Sequence, residues 1–212
     1  MHCIICRNCC VKSFSPNDNK TYCKCTFCNG KFLDKLHYIS NVSEKNRYLE
    51  HNNDINDEGY KSFLRKLIGP LLKKISTGAE GLDFGCGHGP ALAGMLEKEG
   101  FSISLYDPFF FPDTAVLSKQ YDFITCTETA EHFQNPFKEF DTLNRLIKPG
   151  GWLGVMTSFL TSDEMFENWY YRRDPTHVTF YCEKTFQVIA SQRNWKCEIK
   201  SKDVVLLQKN YD

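Results

Sequence analysis

The stretch that decides the fold is "GLDFGCGHGP", residues 81–90. A short apolar run carries Asp83 and ends at Phe84, and glycines then fall at every second position, Gly85, Gly87 and Gly89. Glycine leaves the backbone bare, so a ligand can approach the chain closely and a positive φ carries little penalty. Two kinds of ligand use such a loop: a phosphate, or a nucleoside that has none. A phosphate loop needs Gly-Lys-Ser/Thr after the glycines, and here the run is Gly87-His88-Gly89-Pro90. The dinucleotide pattern G-x-G-x-x-G also fails, because the spacing is wrong. His88 reads as a spacer.

Moving outward, "GLDF" is a short buried strand. Pro90 opens a helix that Gly100 closes. "FSISLYD" is a second strand ending in Asp107, and "YDFITC" is a third. Asn135-Pro136 caps a helix whose apolar face is Phe137, Phe140, Leu143 and Ile147, and Pro149-Gly150-Gly151 ends it before the strand "WLGVMT". A helix around 183–193 and strands near "KCEIKS" and "DVVLLQ" complete the chain. Upstream, apolar residues at helical spacing from Tyr60 to Ile75 predict a helix bent near Gly69-Pro70. Alternating strands and helices point to a parallel α/β sheet, whose ligands sit at the carboxyl ends of the strands. Asp107, at the end of the second strand, is placed to bind ribose hydroxyls.

The 212 residues suit one domain with a small appendage. Hydrophobic content is 42%, charged content 25% and formal net charge zero, so the chain as a whole has no electrostatic pull towards nucleic acid or anionic membrane. "MHCIICRNCC" is no signal peptide, and no apolar run approaches the ~18 residues of a membrane helix. The expected location is the cytoplasm, with thiols reduced.

Seven of the eleven cysteines lie in the first 28 residues. In a reducing compartment such a cluster reads as metal ligands. Cys3-x-x-Cys6 and Cys25-x-x-Cys28 make two knuckles at zinc-ribbon spacing, and Cys6-x-x-Cys9 offers a competing first knuckle. "CIICRN" and "CTFCNG" share a pattern, an apolar residue before the second cysteine and a small turn-former two places after it. That favours Cys3, Cys6, Cys25 and Cys28. Four thiolates leave no open position on zinc, so the site is expected to be structural.

The run Asp83-x-Gly85-x-Gly87-x-Gly89, then Asp107, "YDFITCTETAEHF" and "LNRLIKPGGWLGVMT" resembles class I S-adenosylmethionine-dependent methyltransferases over residues 77–212. The resemblance implies an α/β, Rossmann-like, seven-stranded mixed sheet and a methyl-transfer enzyme. It assigns Asp83, Gly85, Cys86, Gly87, Gly89, Asp107, Pro108 and Thr127 to the cofactor. One departure stands out: only 14 residues separate Asp107 from Asp122, where the family spends a helix and a strand. The sheet is therefore expected to be shortened between its second and fourth strands, and no adenine-binding acid is named. Phe109, Phe110 and Phe111 in that loop either stack near the adenine or cover the sheet edge, and packing is the favoured reading.

Tyr22-x-x-Cys25 and the connector "RYLEHNNDINDEGYKSFL" further resemble bacterial small-molecule methyltransferases with an N-terminal zinc-binding domain, such as some sugar C-methyltransferases. This implies a zinc-ribbon-like module at 1–40, a helical cover over the cofactor at 41–76 carrying Tyr48, His51 and Tyr60, and a catalytic domain at 77–212. Residues 158–181 are expected to form the substrate lid. There, Phe166, Trp169, Tyr170 and Tyr171 offer flat apolar surface, and Arg172 and Arg173 either clamp an anion or are solvated.

Glu128-x-x-Glu131-His132 together with His177 is similar to the set that binds a divalent cation in plant small-RNA 2′-O-methyltransferases, with a related cluster in metal-dependent ubiquinone O-methyltransferases. It implies Mg, Mn or Zn at the active site. Equally open is a metal-free reading in which His132 is a general base or orients the loop. The expected acceptor is a small molecule. Two alternatives remain: an RNA or protein acceptor gripped by the zinc module, or a non-catalytic cofactor-binding partner protein. Residues 1–40 carry six Lys/Arg against two Asp/Glu. A zinc tetrathiolate contributes about −2, leaving too little charge for strong phosphate-driven binding.

Overall fold

The computed structural model describes residues 1–16, 19–50 and 55–211. In chain order its elements are β1 (Val11–Phe14), β2 (Tyr22–Cys25), β3 (Lys31–Leu33), α1 (Asn41–Leu49), α2 (Glu58–Leu72), β4 (Glu80–Phe84), α3 (Ala91–Lys98) and β5 (Ser102–Tyr106). There follow β6 (Tyr121–Thr127), α4 (Pro136–Leu146), β7 (Ile147–Met156), β8 (Thr179–Phe180), α5 (Glu183–Gln192), β9 (Trp195–Ile199) and β10 (Val204–Lys209).

The main sheet runs β5-β4-β6-β7-β10-β9. Its first four strands are parallel, and β10 is antiparallel to both neighbours. The chain leaves β4 outward to β5 and then returns to β6, so the order reverses beside β4. That reversal opens a crevice between the loops after β4 and β6, the usual ligand position in such sheets. Where seven strands are expected, the described residues form six in this sheet. Residues 107–120 hold a tight turn, with Asp107 and Phe111 bridged backbone to backbone, and a 3-10 turn at Thr114–Ser118. Too few residues remain for a crossover and another strand.

The helices form where caps and apolar stripes coincide. Asp57 caps α2, and Leu64, Leu67, Ile68 and Leu71 bury one stripe on the sheet. Pro70 sits in the last turn of this single element. Asn135 caps α4 with Pro136 at its first position. This helix ends at Leu146, earlier than expected, and Ile147 already pairs with Tyr121. Lys148 to Gly151 bulge out before Trp152 rejoins Phe123, because Pro149 has no N–H and Gly150 takes φ +78°.

The second sheet, β1-β2-β3-β8, takes its last strand from segment 158–181. Asp163 of that segment pairs with Lys24 and Lys31. Arg172 donates to the Tyr22 hydroxyl at 3.3 Å. The knuckle residues Ile5, Cys6 and Cys28 share one apolar cluster with Leu143 and Phe186. The N-terminal module is thus packed into the body of the protein. No helix among the described residues is long and apolar enough to cross a membrane.

Candidate active site

The glycine loop is shaped from both sides. Gly85 has φ +80° and Gly87 φ +64°. The N–H groups of Gly85 and Cys86 donate to the Tyr106 carbonyl at 2.7 and 3.2 Å. Thr129, after β6, donates from its hydroxyl to the Gly85 carbonyl at 3.0 Å, and a Cβ on Gly85 would lie 2.1 Å from its methyl group. Asp107 is 7% exposed. Its carboxylate accepts from Gly87 N at 3.0 Å and from Phe109 N and Phe110 N at 2.8 and 3.1 Å. It holds the loop while still lining the cavity.

That cavity, about 910 Å³, opens at the carboxyl ends of β4 and β6. Gly85, Cys86, Gly87, Pro108 and Thr127 line it. Asp83 and Gly89, expected beside the cofactor, do not line it. Asp83 lies behind the loop, 3% exposed, accepting a 2.7 Å hydrogen bond from Thr125. Burial pushes its carboxyl up to about 6, against the hydrogen bond. Thr127 Oγ is buried without a hydrogen-bond partner among the described residues.

Helix α1 roofs the cavity with Glu44, Arg47 and Tyr48, and Tyr60 joins from α2. Tyr48 donates to Glu44 at 2.6 Å, and its ring stands 5.0 Å from His132 and 5.7 Å from Phe109. Arg47 pairs with Asp174 at 2.9 Å, tying the roof to the segment that carries His177. Glu44 and Arg47 were not legible as site residues, although Glu44 and Tyr48 stand one helical turn apart. His51 lies outside the described residues. Phe109 and Phe110 line the cavity as well.

Glu131, His132 and His177 come together, one ligand atom from each lying within 4.8 Å of the others. Their hydrogen bonds determine what they present. His132 Nδ1 lies 3.0 Å from the Thr176 carbonyl, and His177 Nδ1 2.6 Å from the Tyr171 carbonyl. A carbonyl only accepts, so each Nδ1 carries the proton and each Nε2 keeps a lone pair. Burial pushes His177 below the usual imidazole range, favouring its neutral form. Glu131 is fully buried; its Oε1 accepts from the Tyr171 hydroxyl at 2.5 Å, and its Oε2 has no hydrogen-bond partner among the described residues. Two imidazoles and a carboxylate are residue types that could hold a divalent cation. Glu128 stays outside this set. It precedes the 3-10 turn Ala130–His132 with φ +47°, so it and Glu131 do not share a helical face. Glu128 faces the cavity, and crowding by protein followed by the Glu131 charge raises its carboxyl above the usual range.

The aromatic-rich lid divides. Phe166 and Tyr171 are buried, and Arg172 lies in the core with Phe166 and Glu167 carbonyls and the Tyr22 ring as partners. Tyr170 and Arg173 are exposed and line the cavity.

At the other end, Cys3, Cys6, Cys25 and Cys28 gather, all buried, with sulfurs 3.8 Å apart between Cys3 and Cys28 and 3.7 Å between Cys6 and Cys25. Four sulfurs about 2.3 Å from a tetrahedral ion stand about 3.8 Å from one another. The two knuckles repeat one backbone design. Arg7 N and Asn29 N donate to the Cys3 and Cys25 carbonyls at 2.9 Å, and Arg7 and Asn29 both take φ 60°. Cys3 N and Cys25 N reach the Asn8 and Gly30 carbonyls, again at 2.9 Å. Cys9 is exposed outside the cluster, so the competing register is not the one adopted.

A family model described as a methyltransferase domain matches residues 56–198. Among solved structures, an O-methyltransferase family protein from Burkholderia thailandensis superposes with a TM-score of 0.53 at 15% identity, over 79% of this chain and 62% of its own. The 1,6-didemethyltoxoflavin-N1-methyltransferase of the same organism, solved with 1,6-didemethyltoxoflavin and S-adenosylhomocysteine, gives 0.53 at 12% identity, over 94% and 99%. A protein from Pyrococcus horikoshii gives 0.51 at 16% identity, over 78% and 98%. These likenesses show the α/β fold with its mixed sheet. No curated protein matches the chain by sequence.

Proposed function

The chain belongs to the methyltransferase-domain family, and from that premise we propose that it transfers the methyl group of S-adenosylmethionine to a hydroxyl of a small-molecule acceptor. The observation that carries this reading is that the glycine loop after β4 and the Glu131, His132 and His177 cluster after β6 and in the lid open into one cavity. The chain's own contribution begins with bare backbone at Gly85 and Gly87, which admits the amino-acid and ribose parts of a nucleoside cofactor. Asp107 holds that loop and offers its carboxylate to ribose hydroxyls. S-adenosylmethionine, when bound there, supplies an electrophilic methyl group.

On the acceptor side, the orphaned Glu131 oxygen and the two Nε2 lone pairs favour a divalent cation over a purely structural role. A cation held by them would lower the pKa of an acceptor hydroxyl. An acceptor with vicinal hydroxyls suits the open positions. Four buried thiols at tetrahedral spacing favour a structural zinc in the N-terminal module. Among the described residues none of 1–40 lines the cavity; the module meets the lid through the pairing of β3 with β8, the Asp163 pairs with Lys24 and Lys31, and the Arg172 bond to Tyr22.

Turnover of methyl-labelled cofactor with metabolite, RNA and protein fractions in parallel tests the reading. Label is expected in the metabolite fraction, and mild chelation that leaves the cysteine-bound zinc in place is expected to abolish it. Transfer to RNA or protein alone would overturn the small-molecule acceptor. Undiminished transfer after chelation would overturn the cation.

Asp83 adds a pH dependence. Its carboxyl is protonated below about 6 and ionised above it. Asp83 does not line the cavity, so its charge would act from behind the loop, where only the ionised form attracts the ammonium group of the cofactor. Affinity for S-adenosylhomocysteine is therefore expected to fall by up to about fourfold as pH drops from about 7.5 to about 5.5, and Asp83→Asn to flatten the curve. Calorimetric titration across this window is decisive, and a flat wild-type curve would show that the Asp83 charge does not reach the cofactor through the loop.

A further inference from the structure

The three members of the acceptor-side cluster do not hold themselves in place. Tyr171 is 6% exposed and touches two of them by different groups. Its hydroxyl donates to Glu131 Oε1 at 2.5 Å, and its carbonyl accepts from His177 Nδ1 at 2.6 Å. Its ring centroid lies 4.3 Å from that of His177. The phenol is anchored from behind by the Thr157 hydroxyl at 3.0 Å, on a fully buried residue directly after β7. Glu128 Oε2, at 3.4 Å, is its third neighbour.

The consequence follows from the carboxylate. Glu131 has two oxygens and no other side-chain partner among the described residues. Because Oε1 is occupied by Tyr171, Oε2 is the oxygen left to face the two imidazoles. Without the phenol the carboxylate is free to rotate about its last bond. We propose that Tyr171 is the positioning residue of this cluster, turning Glu131 and His177 into ligand orientation without being a ligand itself. The proposal rests on the divalent-cation reading of Glu131, His132 and His177. Partners that orient first ligands are worth about 10- to 100-fold in metal affinity.

The test is Mn²⁺ binding to the full-length protein as purified, read by electron paramagnetic resonance, with the number of metal-bound waters read by water-proton relaxation. Tyr171→Phe is expected to weaken Mn²⁺ about 10- to 100-fold and to raise the water count, since a loosened Glu131 yields its position to solvent. Thr157→Val, which removes only the anchor of the phenol, is expected to move both readouts in the same direction by less, and it serves where the phenylalanine variant fails to fold. Glu131→Gln locates the signal, because it is expected to lose the bound Mn²⁺. Wild-type affinity and water count in both Tyr171→Phe and Thr157→Val would overturn the positioning role and leave the cation reading standing. Absence of Mn²⁺ binding in the wild-type protein would overturn the cation reading and this role with it.

Discussion

Replacing Gly85 by alanine is expected to abolish cofactor binding, weakening S-adenosylhomocysteine by about a hundredfold or more. Two costs act together. The residue has φ +80°, a conformation that costs an L-residue about 1–2 kcal/mol. The new Cβ would also fall 2.1 Å from the Thr129 methyl and 2.5 Å from its hydroxyl. Thr129 cannot simply turn away, because its hydroxyl donates to the carbonyls of Gly85 and Thr127, both at 3.0 Å. Overpacking of this kind costs about 1–3 kcal/mol. A total near 3 kcal/mol corresponds to about two powers of ten in affinity, and the loop is expected to relieve it by leaving the backbone path that admits the ligand. Adding Thr129→Gly removes the clash and keeps the φ penalty, so it is expected to restore affinity only in part. Calorimetry on the single and double variants measures both. An alanine variant that binds within about threefold of wild type would show that bare backbone at this position is not what the cofactor requires.

Cys25→Ser is expected to lose the bound zinc and, with it, acceptor turnover by more than about a hundredfold, while S-adenosylhomocysteine affinity stays within about threefold. Structural zinc sites of this ligand type bind with about 10–16 kcal/mol of apparent free energy, and zinc held by these four thiolates would contribute that as folding free energy of the module. That module holds the lid. Leu33 N donates to the Val178 carbonyl, and Val178 N donates to the Glu131 carbonyl, at 2.8 and 2.9 Å. Val178 follows His177 directly, so the β3 strand braces the backbone of two cluster members. The glycine loop and Asp107 draw on β4, β5 and β6 instead and keep their hydrogen bonds. Native mass spectrometry reports the zinc, and hydrogen exchange at residues 176–180 reports the release of β8. Full zinc retention in both Cys25→Ser and Cys3→Ser would overturn this ligand set.

Much of the chemistry was legible along the chain because its signals are local. The pattern Asp83-x-Gly85-x-Gly87-x-Gly89 encodes a strand, a tight turn and a helix start within a dozen residues, and that unit folds as read. The cysteine knuckles are legible for the same reason, since each is a closed backbone turn with its own hydrogen bonds. The 14 residues between Asp107 and Asp122 foretold a shortened sheet, because a parallel crossover needs a dozen or more residues besides the strand it delivers. The early end of α4 was not legible. "LIKPGG" reads as a helix stop at the proline, but pairing of Ile147 with Tyr121 ends the helix three residues sooner.

What sequence alone determined, then, is the inventory: the parallel α/β order, the glycine loop with Asp107 at the end of the next strand, two thiol pairs, and the residue types gathered at the acceptor-side cluster. Tertiary structure decided which of them meet. Glu131 and His177 are 46 positions apart, and Glu128, three positions from Glu131, falls outside the three-residue group although its carboxylate also reaches the Tyr171 hydroxyl. β3 finds β8 across about 145 residues through only two paired positions, a contact with no local signature. Tyr171 looked like one aromatic among several and became the partner of Glu131 only once Thr157 and the buried carboxylate stood beside it. Hydrogen bonds between distant residues depend on how layers stack, and no periodicity in the chain encodes that stacking.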